Sequence, residues 1–335
     1  MTGRTAIDAE TVGNYLRDRD VLPADATTEA EPLGGGVSNA VVRVRTGGDC
    51  LVVKQPFPNL AVEDDWPADV TRVHNEASAA RAYRGIADRA GLPVRVPRVV
   101  FEDASDHVVA LECAPESAVT WKCRLLDGAV DADVARTLGR FLGESHAAAA
   151  DDEELAERFG NKEPFRQLRL DPYHRTVARR HPDVADPVER EIERIEGVER
   201  TLVHGDFSPK NVLVADGAPW LLDFEVAHWG DPAFDTAFLL NHLLIKSVHV
   251  SAAREDLLAA ARAFRSAYRE RAPWDVERAT VRELAVLMLA RVDGKSPVEY
   301  AGEEIREVLR STAKRALRSG VTDFEAYVDC LVEAS

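Results

Sequence analysis

The sequence predicts an α+β fold with two lobes: a small antiparallel β-sheet with one helix over residues 1–115, and a larger, mostly helical region over residues 116–335. Short apolar runs with the length and alternation of strands occupy the first region. Beyond it, apolar residues recur mainly at helical spacing. A chain of 335 residues is long enough to build two hydrophobic cores.

The same patterns place the individual elements. Apolar runs predict four strands of the small sheet, at 40–44, 51–54, 99–101 and 108–111. Amphipathic periodicity predicts helices at 8–19, 72–83, 131–150, 236–244, 281–289, 303–319 and 323–333. Asp131 or Asp133 is suited to begin the helix at 131–150, because a short acidic side chain can accept a hydrogen bond from a free backbone N–H.

The charge balance argues against two classes of partner. The chain has 42 Lys and Arg residues against 58 Asp and Glu residues, a net charge of −16. Nucleic acids and anionic membranes both bind through clustered cations, so neither is predicted as a partner. No run of 18 apolar residues and no signal peptide is seen, so we predict a cytoplasmic protein. The acidic surface, rich in Arg and poor in Lys, also suggests a halophilic protein, because molar salt screens self-repulsion.

The cysteines suggest no chemistry. Cys50, Cys113, Cys123 and Cys330 form no C-x-x-C pair and no metal-binding pattern. Reduced thiols are the usual state of cytosolic cysteines, and we predict that state for all four.

The most informative segment is 202–225, with the sequence LVHGDFSPKNVLVADGAPWLLDFE. Asp206 precedes Asn211 by five residues, and Asp223 follows in a D-F-E triplet. Phosphoryl transfer requires one carboxylate at the acceptor hydroxyl, and an amide oxygen and a second carboxylate to hold magnesium on the nucleotide phosphates. Asp206, Asn211 and Asp223 have these chemical types in this order.

A predicted β-hairpin brings these residues together. The apolar runs 212–214 and 220–222 flank a turn at 215–219, and folding back on that turn returns Asp223 to the neighbourhood of Asn211. Either triplet alone could be an ordinary loop. The two together, with the Asn at this offset, favour a catalytic site.

The pattern H-G-D-x-x-x-x-N followed by D-F-E resembles the aminoglycoside phosphotransferase and choline kinase superfamily, small-molecule relatives of the protein kinases, whose own motif is H-R-D-x-x-x-x-N and then D-F-G. The resemblance implies a protein-kinase-like two-lobe fold that uses ATP and Mg²⁺. It implies that Asp206 is the catalytic base and that Asn211 and Asp223 bind magnesium. Glu225 is implied to be a further, weaker metal ligand or a substrate contact.

A glycine-rich segment upstream fits the nucleotide side of such a site. Residues 33–39, L-G-G-G-V-S-N, stand before the strand at 40–44 and fit a loop that covers phosphates. The predicted contacts are Gly34, Gly35, Gly36, Ser38 and Asn39. Adjacent glycines also occur in flexible turns, so this prediction depends on the strand that comes next.

That next strand, at 51–54, ends in Lys54, as in the V-A-I-K motif of kinases. We expect Lys54 to pair with Glu76 on the following helix and to bind the nucleotide. A helix-face pair between Glu76 and Arg72 is the alternative. The segment after the strand at 108–111, with Glu112 and Ala114, resembles the hinge whose backbone meets the adenine.

The residues after D-F-E have structural counterparts in the family. Asp235 resembles a buried Asp that accepts hydrogen bonds from the backbone of the H-G-D turn, and His204 is expected to pack beneath that loop. Asp231 either caps the following helix or contacts the substrate.

The acceptor side is less defined. Segment 158–176, which contains Tyr173, mixes aromatic, basic and turn residues and suits an insertion that lines an acceptor pocket. Its F-G-N and D-P-Y patterns, and the L-V-V-K-Q strand end, are similar to those of methylthioribose kinases. Arg291 and Lys295 either form a plain helix-end turn or bind an anionic or hydroxyl-rich substrate.

The predicted function is ATP- and Mg²⁺-dependent transfer of the γ-phosphate to a hydroxyl of a small molecule. Sugars, thiosugars, amino alcohols and aminoglycosides all fit as acceptors. Two alternatives stay open, a catalytically weak nucleotide-binding protein and a metal-dependent phosphate-ester hydrolase. The chain could act as a monomer or as a homodimer.

Overall fold

A five-stranded antiparallel sheet forms the N-terminal region of the computed structural model, which describes residues 6–34, 37–61 and 66–335. Its strands are β1 (Glu29–Pro32), β2 (Asn39–Thr46), β3 (Asp49–Pro56), β4 (Val99–Asp103) and β5 (Val108–Glu112). They lie in the order β1-β2-β3-β5-β4. The four predicted strands are present, and β1 adds an edge strand that its charged sequence did not indicate.

Two helices cover opposite faces of this sheet, because successive strand residues point to opposite sides. Val108 and Ala110 of β5 belong to an apolar cluster with α1 (Val12–Asp18). The alternate residues Val109 and Leu111 pack with α2 (Arg72–Ala90). Helix α2 runs seven residues past its predicted end and stops at Gly91, which adopts the left-handed conformation that commonly terminates helices.

A disulfide joins Cys50 to Cys113, so the prediction of four reduced thiols was wrong for this pair. The cause is the strand register. Leu51 of β3 pairs with Glu112 of β5 in antiparallel fashion, which sets Cys50 directly opposite Cys113. No C-x-x-C spacing is needed when a sheet brings two distant cysteines face to face. Cys123 and Cys330 are free thiols.

The C-terminal region is mostly helical, as predicted. Its longer helices are α4 (Ala132–Ala149), α8 (Ala185–Gly197), α9 (Pro232–His249), α10 (Arg254–Arg269), α11 (Glu277–Asp293), α12 (Glu303–Ser319) and α13 (Phe324–Ala334). Shorter ones are α3 (Trp121–Leu126), α5 (Glu153–Arg158), α6 (Glu163–Phe165) and α7 (Thr176–Arg180). Helix α9 is buried along nearly all its length and forms the centre of the large apolar core. In the described part of the chain, no helix has the length and apolarity to cross a membrane.

The predicted hairpin is present, with a tighter turn. It consists of β8 (Val212–Ala215) and β9 (Ala218–Leu221), and β6 (Val119–Thr120) pairs with β8 as a third strand. Asp216 and Gly217 both have positive φ, the conformation that two-residue hairpin turns with an Asp-Gly sequence favour. A two-stranded pair, β7 (Thr201–Val203) and β10 (His228–Gly230), frames the segment between them.

One irregular segment shapes the acceptor side. A π-helical stretch, Arg166–Arg175, lies between α6 and α7 and contains Pro172. Proline has no N–H to donate, which disfavours a regular α-helix at this point, and wide π-type turns often occur at functional sites. This stretch lies inside the segment 158–176 that was predicted to line an acceptor pocket.

Candidate active site

A cavity of about 610 Å³ lies between the sheet and the helical region. Its apolar end is lined by strand and hinge residues, namely Val41, Val52, Pro97, Leu111, Ala114, Leu213 and Leu222. Its polar middle contains Lys54, Glu76, Asp206, Asn211, Asp223 and Glu225. The fold thus brings the predicted catalytic and metal-binding residues to one cavity, although up to 171 residues separate them in sequence.

The H-G-D turn is held by the helix that follows the hairpin. Asp235, near the start of α9, accepts hydrogen bonds from the backbone N–H of His204 at 2.7 Å and of Gly205 at 2.8 Å. Gly205 has a φ of +77°, and a Cβ at this position would lie 2.7 Å from the carbonyl oxygen of Val226. The position therefore requires glycine, which explains the G of the motif.

His204 supports the same turn from below. Its Nδ1 accepts the backbone N–H of Asp206 at 3.2 Å, and its Nε2 lies 3.2 Å from the carbonyl oxygen of Leu222. Burial lowers the pKa of the ring, so it is neutral and carries its proton on Nε2. The structure thus contains the contacts expected of His204 and Asp235.

Asp206 has two carboxylate oxygens with different surroundings. Its Oδ2 accepts from Asn211 Nδ2 at 2.7 Å, and lies 2.8 Å from Arg169 Nη2 and 2.9 Å from Lys210 Nζ. Its Oδ1 is buried and has no hydrogen-bond partner in the described part of the chain. Burial raises the pKa of this carboxyl, but Arg169 and Lys210 outweigh burial and hold the pKa below its usual value. Asp206 is therefore an ionised group with one oxygen available to an incoming donor.

Lys54 bridges the two lobes. Its Nζ lies 2.5 Å from Glu76 Oε1 and 2.9 Å from Asp223 Oδ1. Burial lowers the pKa of Lys54, but Asp223 and Glu76 outweigh this effect and raise it above its usual value, so the ammonium stays charged. Asp223 has a φ of +69°, a strained conformation for a residue with a side chain, and such strain clusters at functional sites.

Glu225 is tied to the glycine-loop side of the cleft. Its Oε2 lies 3.0 Å from Nε of the buried Arg72 and 3.1 Å from Asn39 Nδ2. Arg72 also donates to the carbonyl oxygens of Ser38 and Phe57. Arg72 thus pairs with Glu225, and the alternative pairing of Arg72 with Glu76 is not present. With these partners, Glu225 fixes the strand that follows the glycine loop.

The remaining nucleotide-side predictions have mixed outcomes. Gly34, Ser38, Asn39, Glu112 and Ala114 line the cavity. The Glu112 carboxylate is engaged by Arg84 and by the backbone N–H of Arg98, so only its backbone faces the site as a hinge. Gly35 and Gly36 lie outside the described residues.

On the acceptor side, Tyr173 and Lys295 line the cavity, and Arg291 stands behind Tyr173. Arg291 Nη1 donates to the Tyr173 hydroxyl at 3.1 Å and to Ser296 Oγ at 3.0 Å. Asp231 lies elsewhere. It caps α9 by accepting from the Ala233 N–H at 3.0 Å and pairs with Arg194. The structure thus favours the capping alternative for Asp231, which does not line the cavity.

Four cations of the site were not predicted from the sequence: Lys122, which lines the cavity, and Arg72, Lys210 and Arg169. Arg72 was considered only as a partner for Glu76. Lys210 lies within the H-G-D-x-x-x-x-N motif, four residues after Asp206, and the one-turn spacing could have indicated an ion pair. Arg169 comes from the π-helical stretch, whose geometry no regular periodicity reveals.

Comparison with known proteins decides the family. The profile of the phosphotransferase enzyme family matches residues 29–274, which include every motif of the cleft named above. The chain belongs to the phosphotransferase enzyme family. The family match covers both the sheet and the catalytic hairpin, so it agrees with the two-lobe arrangement and with the resemblance seen in the sequence.

Curated relatives in the family include methylthioribose kinases. The protein from Cronobacter sakazakii is 24% identical over 249 residues, 66% of this chain and 61% of that protein. The one from Yersinia pseudotuberculosis is 24% identical over 270 residues, 72% of this chain and 64% of that protein. The matched part thus spans less than two thirds of the length of these relatives.

Solved structures show the same fold. A spectinomycin phosphotransferase in complex with ADP and spectinomycin matches 98% of this chain and 99% of its own, with 13% identity and a TM-score of 0.58. An amicoumacin kinase in complex with AMP-PNP, Ca²⁺ and its antibiotic matches 94% of this chain and 97% of its own, with 15% identity and a TM-score of 0.52. The fold is therefore the protein-kinase-like fold of these small-molecule kinases.

Proposed function

We propose that the protein is an ATP- and Mg²⁺-dependent kinase that transfers the γ-phosphate to a hydroxyl group of a small molecule. The observation that carries the proposal is the asymmetry of Asp206. One oxygen is fixed by an amide and two cations, and the other is buried without a described partner in the cavity that also holds Lys54 and Asp223. A general base in phosphoryl transfer needs this arrangement of a fixed, ionised carboxylate with one free oxygen.

Each residue then has a role. Asp206 Oδ1 accepts the hydrogen bond of the acceptor hydroxyl and orients its oxygen for attack on the γ-phosphorus. Lys54, kept charged by Glu76, binds the phosphates of the nucleotide. The acceptor oxygen forms a bond to phosphorus as the bond to the leaving ADP oxygen breaks, and the hydroxyl proton moves to Asp206. Lys210, beside Asp206, is placed to neutralise charge on the phosphoryl group in transit.

The polar residues at the phosphate position fit a magnesium ion. Asp223 offers a carboxylate and Asn211 an amide oxygen, the hard oxygen donors that magnesium takes alongside substrate phosphates. Leu222 N–H donates to the Asn211 carbonyl at 2.9 Å, which holds the segments carrying both ligands side by side. Bound there, the ion would neutralise charge on the nucleotide phosphates.

The relatives suggest several classes of acceptor and do not identify a single one. Methylthioribose kinases support a sugar or thiosugar, while the antibiotic kinases support larger hydroxylated molecules. We also propose action in the cytoplasm, and a halophilic origin for the excess of acidic residues.

A panel of hydroxylated metabolites tests the function, with radiolabelled ATP and magnesium, at about 0.1 M and about 1 M salt. We expect transfer to at least one acceptor. The Asp206→Asn variant should lower kcat by about 10²–10⁴-fold, because the neutral amide cannot take the proton. Its affinity for the nucleotide should be unchanged. Nucleotide binding without transfer to any acceptor would contradict the proposal and favour a catalytically weak protein. Phosphate release from esters without ATP would favour a hydrolase.

A further inference from the structure

Lysines are concentrated around the cleft in this chain. Only seven of the 42 basic residues are lysines. Four of the seven, Lys54, Lys122, Lys210 and Lys295, line the cavity, and Lys246 is buried beside Tyr300, which Lys122 also approaches. An otherwise Arg-rich, acidic protein therefore carries most of its lysines at one place.

The cations that line the cavity lie partly at its nucleotide end and partly at its acceptor end. Lys54 and Lys210 lie beside Asp223 and Asp206, where the nucleotide phosphates bind in the proposed function. Lys295 stands at the other end, with its Nζ 5.9 Å from the centre of the Trp66 ring. It makes no ion pair with any residue in the described ranges. Arg291 contributes a further charge behind Tyr173, 5.8 Å from the centre of that ring.

A third group of cations adjoins Tyr300. Lys246 Nζ lies 3.2 Å from the Tyr300 hydroxyl, and Lys122 Nζ lies 5.9 Å from the centre of the same ring. Lys122 pairs with the exposed Glu299. Lys246 is buried, and none of the described carboxylates lies within ion-pairing distance of it. Burial, together with the neighbouring charges of Arg291 and Lys122, lowers the pKa of Lys246 to about 7, and Glu299 opposes this effect only in part.

Few of the described carboxylates lie at the acceptor end of the cavity: Asp69 and Asp171 line a neighbouring pocket with Lys295 but do not pair with it, and Asp171 pairs with Arg175. Glu76, Asp223 and Glu225 belong to the nucleotide end, where Lys54 and Arg72 neutralise them. Asp206 pairs with Arg169 and Lys210 in the middle of the cavity, and Glu299 pairs with Lys122 at the acceptor end. Lys246, Lys295 and Arg291 have no ion pair with any of the described carboxylates, although Glu299 lies near enough to Lys246 and Arg291 to interact with them electrostatically.

We propose that the acceptor carries an acidic group, a carboxylate or a phosphate ester, in addition to the hydroxyl that is phosphorylated. This inference rests on the proposed function and narrows its substrate class. A buried ammonium group such as that of Lys246 is costly without an opposite charge nearby, and an anionic ligand would also attract the half-buried Lys295. A cationic acceptor such as an amino alcohol or an aminoglycoside would meet like charges here and is disfavoured.

Lys295 is placed to contact the acidic group directly, because it lines the cavity and has no competing ion pair among the described residues. Lys122, on α3, also lines the cavity and can add a second contact if it leaves the exposed Glu299. Lys246 and Arg291 act from behind the wall, through their field rather than by contact.

A charge-graded acceptor panel tests the inference. Glucose, glucuronate, glucose 6-phosphate and glucosamine share one ring and differ in charge, and equivalent sets can be built on pentoses and polyols. We expect kcat/KM to be at least about tenfold higher for anionic members than for their neutral counterparts, a difference that one charge-assisted hydrogen bond can supply. Cationic members should be the poorest.

Two lysine variants sharpen the test. Lys295→Gln should raise KM for the anionic acceptor about tenfold, with little change in kcat or in KM for ATP. Lys314→Gln is the matched control, since Lys314 pairs with Asp183 on the outer surface and should leave all constants unchanged. Equal unfolding curves for the two variants would exclude a folding defect.

The outcomes separate the two proposals. Transfer only to neutral or cationic members, or an unchanged KM in Lys295→Gln, would overturn the inference and leave the kinase function standing. Transfer to no member of any charge class, with the nucleotide bound, would overturn both.

Discussion

The two ends of the cleft differ in how their charges are paired. At the nucleotide end, Lys54 contacts Glu76 and Asp223, and Arg72 contacts Glu225, so cation and carboxylate alternate within one network. At the acceptor end, cations outnumber the carboxylates that face them. The charges of the nucleotide end are paired with one another, which suits a step that all members of a family share. The acceptor end requires a ligand to balance its positive charge, so the substrate is selected there.

Replacing Lys54 is the most severe test of this contrast. Lys54→Met should lower kcat/KM by about 10²–10³-fold, because it removes a preorganised charge from the phosphate position and leaves Glu76 and Asp223 to repel each other. The control is Lys314→Met, the same chemical change at the surface. Steady-state kinetics with ATP and the best acceptor of the panel measure both. Equal values of kcat/KM for the two variants would mean that Lys54 and its network do not contribute to catalysis.

The contrast also explains what the sequence could reveal. Lys54 and Asp223 were predicted because each belongs to a short motif similar to those of kinases and stands at the end of a strand, and Glu76 was predicted as the partner of Lys54 on the next helix. Arg169 was missed because its π-helical segment follows no regular period. The Cys50–Cys113 bridge was missed because it depends on which residues pair across β3 and β5. Lys246 was missed because a lone lysine in an apolar helix gives no sign of its surroundings.

A glycine pair tests the rigidity of the catalytic turn. Gly205 and Gly217 both have a φ of +77°, but a Cβ on Gly205 would meet the carbonyl oxygen of Val226 at 2.7 Å, whereas one on Gly217 would meet nothing within 4 Å. We expect Gly217→Ala to cost about 1 kcal/mol of unfolding free energy, from its backbone conformation alone. Gly205→Ala should cost about 2–4 kcal/mol, since overpacking adds to that strain. Urea denaturation measures both, and equal losses would show that the turn can relax.

Replacing Lys246, unlike replacing Gly205, is expected to stabilise the fold while it weakens the binding of an anionic acceptor. Lys246→Met should raise the unfolding free energy by about 1–3 kcal/mol near neutral pH, because it removes a buried charge that lacks a described carboxylate partner. The same change should raise KM for an anionic acceptor, a trade of stability against binding. Urea denaturation and kinetics on the same preparation check both. A destabilised variant would show that Lys246 is structurally paired after all.

The pH dependence of this variant has a definite sign. The pKa of Lys246 is lowered from 10.5 to about 7, so between these values the unfolded chain holds a proton that the folded chain has lost. The contribution of Lys246 to stability therefore rises with pH across this window. The groups around it are Arg291, Lys122, Glu299, His242 and Tyr300. The advantage of Lys246→Met should be largest below pH 7 and should shrink toward pH 10.

Salt concentration should affect KM differently for anionic and neutral acceptors, and this effect should be smaller than those of the substitutions above. Between about 0.1 M and about 1 M KCl, the screening length falls from about 10 Å to about 3 Å. The acceptor-end cations Lys122 and Lys295 are partly exposed, so KM for an anionic acceptor should rise a few-fold over this range. A neutral acceptor has no charge to be screened, and the ion pairs of Lys54 and Arg72 are buried and are screened less. KM for a neutral acceptor, with ATP and magnesium saturating, should therefore change little. The comparison must be made on one preparation, since the acidic surface as a whole also responds to salt. If KM for the neutral acceptor rises as much as KM for the anionic acceptor, the salt effect comes from the charge of the whole molecule. The unpaired cations of the acceptor end would then not explain it.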